Sequence, residues 1–343
     1  MIKFFDIYEQ DKVKFHKNIN DFKSIIKNTN FINGKQVHEF EKNFAKFCNA
    51  KYAIGCSNGT DALTVSLKSF NFPKNSEVII PAMTYCSTAF SIINAGLKPV
   101  LVDLKKNTPT IDIHLLKKKI SKKTKAIMVV HLFGQTVDMD PIMRIAKKHN
   151  LGVIEDCAES HGVEYKGKKV GSIGDIGTFS FYANKTITCG EGGMITTNSP
   201  DLAKKASELK NLCYGKPNKF MHTDIGFQFR LPNVSAAMGL GQLSQIQEIF
   251  AKKKEIDERY KKNFSDIKGL NIPEIGKHTN KFIMWVFNLY LDENFGVSRD
   301  ELTKKLKEIN IDTRDAFVPI NMQKIFQKNW NINEKDCPNA NFI

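Results

Sequence analysis

Between residues 51 and 156 the sequence alternates short apolar runs with amphipathic stretches, and this alternation restricts the fold more than any other feature. Apolar runs at 52–56, 78–81, 99–103, 126–132 and 152–156 predict strands. The stretches 61–70, 87–95 and 140–149 predict helices, with Leu63, Leu67 and Phe70 on one face of the first. The run at 126–132 is continuous, as expected for a strand covered on both sides. Strand and helix in turn predict an α/β fold, a mostly parallel central sheet sandwiched by helices. After Gly174 the pattern becomes strand, turn, strand over 178–182 and 194–197. A single long helix is expected from near Pro232 to about Phe264. Residues 282–291 and a helix over 298–308 read as a smaller α+β domain. Residues 1–50 read as polar and helical, with periodic stretches at 21–26 and 37–47. The expected division is a large domain over 1–245 and a smaller one over 246–343.

The 343 residues are 41% hydrophobic and 25% charged, which is ordinary for a soluble globular chain. No apolar run has the length of a membrane span, and the first ten residues lack the pattern of an export signal. The seven cysteines are scattered, odd in number and without a Cys-x-x-Cys spacing. Reduced thiols in the cytoplasm are therefore expected, with no metal site and no membrane partner. The net charge of +15 is spread as lysine clusters such as 117–119, 122–125 and 252–254. No nucleic-acid-binding motif accompanies it, so a solvated basic surface is expected rather than a nucleic-acid partner.

The chemistry concentrates at predicted strand ends. Lys185 follows the aromatic run 179–182 and precedes a glycine-rich turn ending at Gly193. A lysine held there sheds solvent, which favours its neutral amine, the species that forms a Schiff base with an aldehyde. A lysine snorkelling from a strand end is the alternative. Ser57, Asn58, Gly59 and Thr60 join a strand to a helix. They make either an anion site of helix-terminal amides or a plain cap. Asp156 ends the strand 152–156, where open α/β sheets place ligand groups. It suits a protonated pyridine nitrogen or the cap of a following helix. Glu159 and His161 lie close by, His161 as a base or a satisfied structural histidine. Tyr85 follows strand 78–81 and reads as a stacking or a core aromatic. The Gly171–Gly177 glycines precede a strand, so they are a turn and not a dinucleotide fingerprint. Ser180 lies five residues before Lys185, placed to touch a phosphate. Gln228 and Arg230 reach an anion, a second subunit or solvent.

Taken in order, the stretches 57–62, 78–81, 131–135, 153–156, 171–175, 179–193, 226–230 and 236–243 resemble the DegT/DnrJ/StrS family of sugar aminotransferases. These are fold-type-I enzymes that use pyridoxal 5′-phosphate. The resemblance implies that Lys185 is the Schiff-base and proton-shuttling lysine and Asp156 the partner of the ring nitrogen. It implies that Tyr85 stacks on the ring and that Gly59, Thr60 and Ser180 contact the phosphate. Glu159 falls near the cofactor hydroxyl. Gln228 stands where the family usually has Asn reaching the phosphate from the second subunit, so a homodimer with shared sites is implied. The implied reaction moves an amino group from L-glutamate, leaving 2-oxoglutarate, to a keto carbon of a nucleotide-linked sugar destined for a surface polysaccharide such as O-antigen. Lysine rather than histidine at 185 implies transfer and not dehydration. The wording of 186–193 resembles enzymes of 4-keto-6-deoxy sugars more than those of 3-keto sugars. A regulatory protein that binds the cofactor without turnover is the other alternative. Relatives usually continue a few tens of residues further, so the small domain is expected to be incomplete at its end.

Overall fold

A computed structural model describes residues 2–7, 15–330 and 332–342. Parts of the polar N-terminal stretch and of the chain's last residues lie outside these.

The predicted strands assemble into one seven-stranded sheet. Its members are β1 (Tyr52–Cys56), β2 (Glu77–Pro81), β3 (Lys98–Val102), β4 (Thr124–Val130) and β5 (Gly152–Asp156). A short pair, β6 (Glu164–Tyr165) and β7 (Lys168–Lys169), intervenes before β8 (Ile176–Ser180) and β9 (Gly193–Thr197). The order is β1-β9-β8-β5-β4-β2-β3. Only β9 runs against its neighbours; β8, β5, β4, β2 and β3 pair in parallel.

Successive residues of a strand face opposite sides, and here both sides are dry. Ile79, Ile127, Val129, Val153 and Phe179 enter one core with Phe40, Phe44 and Phe181. Their neighbours Val78, Ile80, Ala126, Met128 and Ile154 enter the other. That explains the continuous apolar run: a strand buried on both faces has no polar positions to alternate with. Residues near the end of the chain complete the second core through Ile320, Phe326, Cys337 and Ala340. The amides of Asn339 and Ala340 donate to the Asp103 carboxylate at 3.0 and 2.8 Å, tying that segment to the sheet.

Two expected elements differ. The long helix from 232 to 264 is two helices, Asn233–Ser244 and Ile246–Phe264, broken at Gln245, where φ is −109° and ψ 9°. The first is lined with buried Ala236, Ala237, Gly239 and Gly241. The second carries charge on most positions, and the break lets the two obey different surroundings. Residues 282–291 are not one strand. Before them β11 (Thr279–Lys281) pairs with β6, at their end β12 (Tyr290–Leu291) pairs with β10 (Leu270–Asn271), and 282–289 run irregularly across the sheet's carboxyl edge. Their apolar character serves packing against that edge.

All seven cysteines are unbridged. Among the described residues no helix is long and apolar enough to cross a membrane.

Candidate active site

The site collects at the carboxyl ends of β1, β2, β4, β5 and β8, the position open α/β sheets use for ligands. Asp156 is the last residue of β5 and pairs with Val130 on one side and Thr178 on the other, so it sits in mid-sheet. Its Oδ2 accepts from the Thr88 hydroxyl at 2.9 Å and its Oδ1 from the Ala158 amide at 3.1 Å. Burial pushes its carboxyl above the usual range, against these two bonds and the nearby Lys185 and His131. Such a carboxylate gains from a buried cation, and a protonated pyridine nitrogen is one. The Ala158 bond closes a turn and not a helix start, so the helix-cap reading of Asp156 is corrected.

Lys185 sits in the turn after β8, its amide bonded to the Tyr182 carbonyl at 2.9 Å. It is 9% exposed, so the snorkelling alternative is excluded. Its Nζ lies 3.4 Å from Glu159 Oε1 and 3.7 Å from the centre of the Trp285 ring. Glu159 Oε2 accepts from the Phe133 amide at 3.0 Å. Burial raises the Glu159 carboxyl, against Lys185 and the Phe133 amide. His161 is buried among Phe44, Phe179 and Phe181, with the Ser180 backbone as a hydrogen-bonding neighbour. Burial, with help from Lys185 and Lys253, holds it neutral, its pKa down to about 3.

The anion end forms at the helix Gly59–Ser69. Asn58 caps it, its side-chain oxygen accepting from the Asp61 amide at 2.8 Å. The amides of Gly59 and Thr60 belong to the first turn, which has no intrahelical acceptors to offer them. A Cβ on Gly59 would lie 2.8 Å from the Ser180 Cβ, so glycine is required where the helix meets β8. The Thr60 hydroxyl donates to Ser87 Oγ at 2.7 Å. Gly59, Thr60 and Ser180 are thus brought together, as expected. This cradle, the Lys185 amine and the Asp156 carboxylate fit a group with a phosphate, an aldehyde and a ring nitrogen.

Tyr85 is 58% exposed, which excludes simple core packing, and its ring lies 5.3 Å from that of Phe317. Thr84 beside it bonds Thr88 at 2.8 Å, coupling the Tyr85 turn to Asp156. Gln228 is not brought to Lys185. Its backbone bridges to Asn211 on the outer side of β1 and its side chain is exposed. Arg230, its neighbour, bridges to Cys56 and bonds Asn211 at 3.4 Å.

Sequence reasoning missed Trp285 and Phe133. It also missed a buried trio, His131, Glu155 and Cys157, close enough to hold a metal. Their polar atoms are otherwise engaged. His131 Nδ1 accepts from the Val137 amide at 3.1 Å, so Nε2–H donates to Glu155 at 3.0 Å. Glu155 further accepts the amides of Gly171, Ile173 and Gly174, and the Cys157 thiol is raised far above its usual range by burial. The trio fastens the 171–174 turn to β5. A cavity of about 2180 Å³ opens to one side of Lys185, lined by Asn184, Trp285, Lys253 and Phe317 but not by Lys185 or Asp156 themselves.

Fold and site together define a pyridoxal-phosphate-dependent aminotransferase. The profile of the DegT/DnrJ/EryC1/StrS aminotransferase family matches residues 14–343, and the chain belongs to that family. It is 41% identical over 290 residues to a GDP-perosamine synthase of Caulobacter vibrioides, covering 84% of this chain and 78% of that one. It is 40% identical over 262 residues to a dTDP-3-amino-3,6-dideoxy-alpha-D-galactopyranose transaminase of Aneurinibacillus thermoaerophilus, covering 76% and 71%. The crystal structure of S. venezuelae DesV superposes with a TM-score of 0.92 at 28% identity, covering 99% of this chain and 90% of that one. The chain is a nucleotide-sugar aminotransferase.

Proposed function

We propose that the enzyme moves the amino group of L-glutamate to the C4 keto carbon of a nucleotide-linked 4-keto-6-deoxy sugar, for a surface polysaccharide made from the cytoplasmic side. The observation that carries the C4 reading is the 41% identity to a GDP-perosamine synthase, repeated at 37% over 297 residues in the synthase of Escherichia coli O157:H7. The 40% identity to a 3-amino sugar transaminase favours C3 amination as the second reading.

Bound in this site, pyridoxal phosphate supplies an aldehyde carbon that accepts amines and a ring that takes up electrons. The amides of Gly59 and Thr60, with the Ser180 hydroxyl, hold its phosphate at the helix terminus. Asp156, steadied by Thr88 and Ala158, keeps the ring nitrogen protonated. Tyr85 offers its exposed ring as a stacking face. Lys185 Nζ is the amine that would hold the cofactor's aldehyde carbon, and once freed it would carry a proton from the α-carbon of glutamate to that carbon and, in the second half-reaction, from that carbon to the sugar carbon. Glu159, anchored by the Phe133 amide, orients that amine.

The same reading makes the enzyme a homodimer, with Gln228 reaching toward the second subunit's site. Exposed Phe220, Met221 and Ile225 on the same loop, the last 87% exposed, support a covered surface there.

The test is incubation with L-glutamate and GDP- or dTDP-linked 4-keto and 3-keto sugars, with the product's mass and amino position read out. The expected result is stoichiometric 2-oxoglutarate and a 4-amino product, abolished by Lys185→Ala. No 2-oxoglutarate with any keto sugar overturns the transaminase reading; a 3-amino product overturns the C4 assignment. Light scattering in solution that gives a monomer overturns the dimer.

A further inference from the structure

We propose that Trp285 is a positioning residue for Lys185, its indole face holding the lysine ammonium over the site. The proposal deepens the reading of Lys185 as the working amine and rests on it for its purpose, though not for its geometry.

The Nζ lies 3.7 Å from the ring centre, well inside the range at which a cation is drawn to an indole face. The carboxylate paired with it, Glu159, is at 3.4 Å, longer than a charge-assisted hydrogen bond of about 2.7–2.9 Å. The ring is therefore at least as intimate a partner as the ion pair. It is also held rigidly. Its Nε1–H donates to the carbonyl of Asn184, the residue before Lys185, at 2.8 Å. It stacks on Phe133 with centroids 6.3 Å apart and planes within 9°, and it neighbours Phe317 at 6.4 Å. The backbone carbonyl of Trp285 accepts from Lys253 Nζ at 2.9 Å. Only 8% exposed, the ring cannot turn from Lys185 without breaking these contacts.

A π face suits a lysine that must be held and then released. It attracts the cation through the ring quadrupole and takes up neither a donated hydrogen bond nor the amine lone pair. A closer carboxylate would tie the amine down.

The groups facing Lys185 are few. Asp156 comes from β5, and Glu159 and His161 from the turn after it. Lys253, on the helix Ile246–Phe264, acts through the Trp285 carbonyl, and burial lowers it to about 8. His161 is neutral. Fluorine on the indole weakens the π face with little change of shape, so it isolates the Trp285 contribution from these.

The chain has two tryptophans, so a Trp330→Phe background leaves position 285 alone to carry fluorinated analogues. The full chain, freed of cofactor, is labelled at Lys185 with an amine-reactive reagent across pH, and the labelled peptide is quantified by mass spectrometry. The cation–π contact favours the ammonium, so weakening it lowers the labelling midpoint. A stepwise fall from mono- to tetrafluorotryptophan is expected, about one pH unit in total, a tenfold change in the ammonium-to-amine ratio. Trp285→Phe should fall between wild type and Trp285→Leu. A midpoint unmoved by fluorination, with the circular dichroism spectrum unchanged, overturns the proposal, because a purely structural ring gives no graded shift. Should Trp285→Leu fail to fold, the fluorinated series decides alone. The readout needs neither cofactor nor turnover, so it is independent of the transaminase assay.

Discussion

The amide of Phe133 donates to Oε2 of Glu159 at 3.0 Å, and it can do so because Phe133 adopts a left-handed backbone, with φ 55° and ψ 24°. A bulky side chain in that region stores strain of about 1–3 kcal/mol. The strain fixes one carboxylate oxygen and leaves the other toward Lys185. Glu159→Gln keeps an acceptor for Phe133, so folding stability should be kept. Glu159→Leu strands the amide and should cost about 1–3 kcal/mol in urea unfolding. Equal losses in the two variants would show that charge, not the hydrogen bond, is what the site needs there.

Asp156→Asn should trade activity for stability. Burial raises the folded pKa of Asp156 above its unfolded value of 3.8, so ionisation weakens the cofactor-free fold as pH rises through the folded value. Asparagine removes that cost. In the cofactor-free protein the melting temperature at pH 7 should rise by a few degrees, roughly 1–2 kcal/mol. The gain should vanish below the unfolded value, where both states are protonated. Turnover should fall about 100-fold or more as the ring-nitrogen partner is lost. A gain over wild type that is no larger at pH 7 than at pH 3 contradicts this.

Gly59→Ala should weaken cofactor binding at least tenfold, about 1.4 kcal/mol, because the new methyl meets Ser180 Cβ at 2.8 Å. Overpacking of this kind also costs about 1–3 kcal/mol of stability. Ser180→Gly in the same chain removes the obstructing atom and should recover most of the stability by thermal melting. No recovery in the double variant would place the fault in the helix start instead.

Lys253→Met should stabilise the fold near neutral pH. The folded pKa of Lys253 lies at about 8, below its unfolded 10.5. Between those values the unfolded chain binds more protons, so stability rises with pH, and below about 8 the cost of burying the charge is fully present. The variant should gain about 1–2 kcal/mol at pH 7, the gain shrinking to nothing by the unfolded value. Urea unfolding over a pH series checks it; a difference that does not change with pH refutes it.

The sheet was legible because each of its inner strands is buried on both faces, which writes burial into the sequence as unbroken apolar runs. Gly59, Asp156, Ser180 and Lys185 were legible because they sit at strand ends, whose positions the runs define. Trp285 was not, since it lies in an apolar run that looks like a strand and is instead an irregular lining of the site. Periodicity distinguishes neither. Phe133 was hidden because a left-handed turn at a phenylalanine leaves no compositional trace, unlike the Gly134 that follows it at φ 85°. The helix break at Gln245 escaped notice because neither proline nor glycine marks it. Gln228 is exposed and away from Lys185, and nothing in the order of residues marks that placement.

The indole over Lys185 arrives late in synthesis. Trp285 lies a hundred residues beyond the lysine it covers, and at about 5–20 residues per second the ribosome takes roughly 5–20 s to make that stretch. For that interval the nascent chain carries strand ends, phosphate cradle and amine without the ring that holds the amine in place. The competent geometry is therefore a late product of translation, and a chain that loads its cofactor early does so with Lys185 uncovered.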